Sequence, residues 1–194
     1  MSYSQCVELF RAGILDGLEI CTPQLRTIVD NDNPLFPLNA MALSIIPWFS
    51  QAEIAFRTQT DTKTLQVAEW EHYYFFSDLC NCHSGPLATA AQYSREAWEQ
   101  PPDGLTHLQM AHLIFLAGAE ALIGSTVRTR FYEILDTLQD SCTFNGQFSL
   151  EENLSAYDGW FEYIVSDPDE KCRSNYCDIV QASKTGKQLT TFWK

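Results

Sequence analysis

The sequence predicts an all-α protein, an antiparallel array of about eight helices. Three observations predict it. Apolar residues recur at three- and four-residue steps, turn-forming residues punctuate the chain at short intervals, and no segment shows a convincing strand alternation. Short connections favour antiparallel neighbours, and no Gly/Ser-rich linker divides the chain, so residues 1–194 are expected to form a single helical domain.

The elements follow in chain order. Over residues 4–20, Val7, Phe10, Ile14, Leu15 and Leu18 fall on one helical face. Thr22-Pro23 reads as an N-cap with proline at the first helical position, opening a separate short helix through Val29. Asp30-Asn31-Asp32-Asn33-Pro34 is a loop. Pro37 and Pro47 bracket a third apolar segment, Leu38–Ile46, which Pro47 ends or kinks before Trp48-Phe49. Asp61 or Thr62 caps a longer helix to about Leu79, with Leu65, Ala68, Tyr73 and Phe76 inward.

Ser84-Gly85-Pro86 stops that helix and starts another over 87–98. Pro101-Pro102-Asp103-Gly104 is the next break, after which Thr106 caps the most apolar helix, 108–124. Ser125 caps an amphipathic helix with Val127, Phe131, Ile134, Leu135 and Leu138 inward. Asn145-Gly146, between apolar neighbours, marks a short β-hairpin or a plain turn near 143–148. Ser149 followed by Glu152 matches a capping box and opens a helix to about Val165, which Asp167-Pro168-Asp169 ends.

Composition narrows the classes of function. Twelve Lys and Arg stand against 25 Asp and Glu, a net charge of -13, which disfavours direct contact with nucleic acid or an anionic membrane. Hydrophobic residues make up 45% of the chain, enough to build a core and to exclude disorder throughout. The N-terminal residues lack a basic stretch followed by an apolar one, so no signal peptide is expected. The 108–124 segment is short for a bilayer span and carries Gln109, His112 and Glu120. Seven cysteines, an odd number, with no secretion signal point to reduced thiols in a cytoplasmic setting, most of them packed as small hydrophobes.

The charge is concentrated. Residues 133–178 hold 11 acidic and 2 basic groups. On the expected 150–165 helix, Glu151, Asp158 and Glu162 follow at steps of seven and four and share a face, with Tyr157, Trp160, Phe161 and Ile164 around the rest. A carboxylate ridge beside large aromatics suits capture of a basic protein: charge speeds encounter and aromatics anchor the complex. The candidate partner-binding residues are Glu151, Glu152, Asp158, Trp160, Glu162, Asp167, Asp169 and Glu170. Alternatively, these carboxylates form a solvated face that keeps the protein soluble, with Trp160 and Phe161 in the core.

Motifs for chemistry are incomplete. Cys80, Cys82 and His83 lie within four residues, and Cys172 and Cys177 could complete a tetrahedral zinc site, but the spacings are not those of zinc-binding turns. Glu69 and His72 form a Glu-x-x-His pair without the second copy that a di-metal bundle needs. There is no phosphate-binding glycine loop and no nucleophile motif. His107 and His112, five apart, point to different sides of a helix. Glu120 interrupts an otherwise apolar stretch, so if buried it needs a raised pKa or a partner such as Arg128, Arg130 or His112; the plainer readings are an ion pair that locks helices together or a carboxylate at the protein edge. Gly118 among alanines suggests close packing.

Together these features predict a non-enzymatic, acidic protein-binding inhibitor with the character of an immunity protein or antitoxin, occluding a basic partner such as a nuclease-type toxin. No cofactor is expected. The alternative is a helical protein or enzyme that binds a small molecule or metal, using the aromatic 70–76 region (Trp70, Tyr73, Tyr74, Phe75 and Phe76) and Glu120.

Overall fold

The chain begins with one long helix, α1 (Tyr3–Asn31), where the sequence suggested two. Pro23 lies inside it and forfeits one backbone hydrogen bond. The helix continues because the buried positions Phe10, Ile14, Leu18, Cys21 and Leu25 keep their three- and four-residue spacing across the proline. The Thr22 hydroxyl is not an N-cap but donates back to the Leu18 carbonyl at 2.7 Å. The structure, a computed structural model, describes residues 2–31, 38–58, 84–139 and 154–156.

The expectation of an eight-helix, all-α array is wrong. The described residues form four helices and a small sheet. Leu38–Ile46 is strand β1 and Gln51–Thr58 is strand β2, paired antiparallel through the turn Pro47–Phe49. The three residues Leu154–Ala156 form β3, which pairs parallel to β1 on its other side, giving the order β2-β1-β3.

The reason is a period-two pattern that hydrophobicity alone conceals. In β1 the bulky Met41, Leu43 and Ile45 alternate with Ala42 and Ser44. The register sets Met41 against Phe56, Leu43 against Ile54 and Ile45 against Ala52, so all six occupy one face. The same register sets Ala42 against Ala55 and Ser44 against Glu53 on the other.

The remaining helices are α2 (Pro86–Glu99), α3 (His107–Ile123) and α4 (Ser125–Gln139). The starts of α2 and α3 follow the sequence reading. Gly85, at φ 104°, precedes Pro86 at the first position of α2. Thr106 caps α3 in a reciprocal box with Gln109. Ser125 is the first residue of α4, not its cap.

Helix α1 packs on α2, α3 and α4, while α2 and α3 reach the sheet. Two close approaches fix this arrangement. A Cβ on Gly13 of α1 would sit 2.6 Å from the Leu87 Cα at the start of α2, so the two backbones touch there. Gly118 of α3 lies over the bulky sheet face, where a Cβ would run into Ile45 Cδ1 and press on Leu43 Cδ2. Phe56 of β2 stacks on Phe131 of α4, rings 6.2 Å apart and 22° from parallel. Most of α3 is buried, which accounts for its apolar composition. Among the described residues no single helix is long and apolar enough to cross a membrane.

Candidate partner-binding surface

Glu151, Glu152, Asp158, Trp160, Glu162, Asp167, Asp169 and Glu170 lie outside the described residues. The continuous 150–165 helix that would align Glu151, Asp158 and Glu162 is overturned, because Leu154–Ala156 runs as a strand between them. The 70–76 aromatic region, the Glu69/His72 pair, the expected 143–148 hairpin or turn, and Cys80, Cys82, His83, Cys172 and Cys177 also lie outside the described residues.

Two members of the sequence-defined acidic segment are described, and both Glu133 and Asp136 are exposed on α4. Glu8, Glu19, Glu96, Glu99, Asp103 and Glu120 are exposed as well. Cations near them are engaged. Arg11 pairs with Glu8, Arg95 with Glu99 at 2.8 Å, and Arg130 with both Glu19 at 2.9 Å and Glu133 at 3.0 Å. These exposed pairs add little stability, since solvent screens them and ordering costs entropy. They leave the net charge unchanged, because each pair offsets a carboxylate as well as a cation; the acidic excess comes from the 25 Asp and Glu against 12 Lys and Arg. Arg130 borders a shallow groove of about 440 Å³ between α1 and α4, with Leu15, Thr126 and Thr129 among its walls.

Glu120 sits at the protein edge, exposed, and accepts a hydrogen bond from the Tyr3 hydroxyl at 2.8 Å. Burial and this carboxylate together push the Tyr3 phenol upward. Cys6 and Cys21 are buried and not joined in a disulfide, and burial raises Cys6 to about 12, which leaves it an inert core residue at neutral pH. His112 is half-buried, and desolvation lowers its pKa.

Two features escaped sequence reasoning. Glu53 of β2 is only 4% exposed and lies opposite Ser44, 2% exposed, across the antiparallel ladder. Glu53 falls on the alternate positions of a strand, where a carboxylate ordinarily signals a solvated face, so its burial had no signal. The second is an aromatic cluster at the sheet's turn. Trp48 lies 6.1 Å from Trp98 of α2 and 6.5 Å from Phe49, and Trp98 lies 5.3 Å from His107 of α3. Phe49 is 61% exposed and Leu108 41%. The apolar dipeptide Trp48-Phe49 just after Pro47 was the available signal for an aromatic turn tip.

Two hydrogen bonds tie that cluster together. Ser50 closes the turn at φ 53°, a left-handed conformation unfavourable for a non-glycine residue, and its N–H donates to the Pro47 carbonyl at 3.0 Å. The His107 Nδ1–H donates to the Trp98 carbonyl at 2.5 Å, which ties the start of α3 to the end of α2. Among the described residues no group of three or more His, Cys, Asp or Glu side chains is arranged to hold a metal ion. Comparison with protein-family models, curated proteins and solved structures finds no match.

Proposed function

We propose that this chain is a non-enzymatic binding protein that captures and occludes a basic protein partner, in the manner of an immunity protein or antitoxin acting on a nuclease-type toxin. The observation that carries the reading is a net charge of -13 whose described carboxylates are mostly exposed, while Arg11, Arg95 and Arg130 are held in carboxylate pairs. Such a field speeds encounter with a positive surface, and its effect falls as salt shortens the screening length to about 10 Å at 0.1 M. The carboxylates from Glu151 to Glu170, in the most acidic part of the sequence, are proposed to meet Lys and Arg that the partner would otherwise use on its own substrate, with Trp160 as an anchor.

The test is kinetic. A partner recovered from the native host by affinity purification is measured against the wild type and the triple variant Glu151→Lys, Asp158→Lys, Glu162→Lys. At low salt the association rate is expected to fall by about 10-fold or more, within the range that electrostatic steering spans. Unchanged association would remove those carboxylates from the interface.

A further inference from the structure

We propose that the turn tip formed by Trp48 and Phe49, with Trp98 and His107 beside it, is a docking point for an arginine-bearing segment of a basic protein partner. The inference rests on the acidic-capture reading and assigns it a second surface, away from the carboxylates of 133–178 in sequence. A partner guanidinium is flat, weakly hydrated and always charged, so it stacks on aromatic faces as well as pairing with carboxylates.

Both kinds of group are present here. Phe49 is 61% exposed, and its edge-on neighbour Trp48 is half-buried against Trp98. The chain from residue 84 to 110 carries Glu96, Glu99 and Asp103 against one cation, Arg95, and Arg95 is engaged by Glu99. An exposed aromatic on a three-residue turn, closed by the Ser50 N–H donating to the Pro47 carbonyl, has less chain to order on binding than one on a long loop. Charge disfavours the simplest competing occupant: a second copy would bring another net -13 to a chain that already carries -13.

The experiment selects a displayed library of random 12-residue peptides on the immobilised full chain. It then titrates the enriched peptides against the wild type, Phe49→Ser, Phe49→Leu and Asp103→Lys, each confirmed folded by circular dichroism. Enriched peptides are expected to carry arginine. Affinity is expected to fall by about 10-fold or more with Phe49→Ser, to fall with Phe49→Leu, which keeps an apolar side chain but loses the π face, and to fall with Asp103→Lys. Arginine-rich peptides that bind all four proteins equally would overturn the tip as docking point while sparing the acidic-capture reading. Enriched peptides without positive charge would overturn the tip proposal and count against that reading too. No enrichment, or a homodimer in light scattering that Phe49→Ser abolishes, would also overturn the proposal.

Discussion

Gly13 is the residue with the least room to change. Its Cβ position is 2.6 Å from one backbone atom of Leu87 and 2.7 Å from another, and backbone cannot swing aside. Gly13→Ala is therefore expected to force α1 and α2 apart and destabilise the protein by about 1–3 kcal/mol, as overpacking does. Gly118→Ala meets the end of a flexible isoleucine side chain and is expected to cost less. Urea denaturation of both variants checks the order; equal midpoints would contradict it. His112 sets a pH dependence. Because burial lowers its folded pKa, the unfolded chain binds this proton more readily. Its contribution is absent at high pH, and stability falls as pH drops below about 6.5 toward the folded value. His112→Gln is expected to flatten that part of the stability profile measured between pH 7.5 and 5. An unchanged slope would place the titration elsewhere.

Helix α1 and the β1–β2 hairpin show which elements local rules reach. The starts of α2 and α3 were legible from Gly85-Pro86 and Thr106, because capping and proline at the first turn act over three or four residues. The buried Val127, Phe131, Ile134 and Leu135 of α4 follow from helical period alone. Pro23 misled because the same dipeptide that opens a helix can lie inside one when core packing outweighs a lost hydrogen bond. The hairpin was hidden for another reason. Alanine and leucine are both apolar, so β1 looks like a uniform run until side-chain size, not polarity, is followed along Met41, Ala42, Leu43, Ser44 and Ile45. Continuity of α1 has a direct test. Pro23→Ala restores the missing N–H and is expected to raise stability by about 1–3 kcal/mol. Loss of stability instead would mean that a separate helix starts at Pro23.

At the scale of the whole molecule, the candidate surfaces were only partly legible. Net charge and its concentration in 133–178 are sums over sequence and needed no coordinates. The pairs Arg11–Glu8, Arg95–Glu99 and Arg130–Glu133 lie within single helices at three- or four-residue spacing, but the exposure of Phe49 and the Arg130–Glu19 pair depend on which elements meet, and no spacing rule could place Arg130 beside Glu19, over a hundred residues away. The helical alignment of Glu151, Asp158 and Glu162 was lost to a contact of the same kind, the parallel pairing of Leu154–Ala156 with β1. Charge magnitude survives such rearrangements, because long-range potential depends on the total more than on any one alignment. The acidic-capture account is therefore tested most directly by its salt dependence. The association rate of the partner recovered from the host is measured by stopped flow from about 20 to 500 mM NaCl, spanning screening lengths on both sides of about 10 Å. The account predicts a fall of about 10-fold or more across that range; a rate that changes by less than about twofold, well short of the steering range, would contradict it.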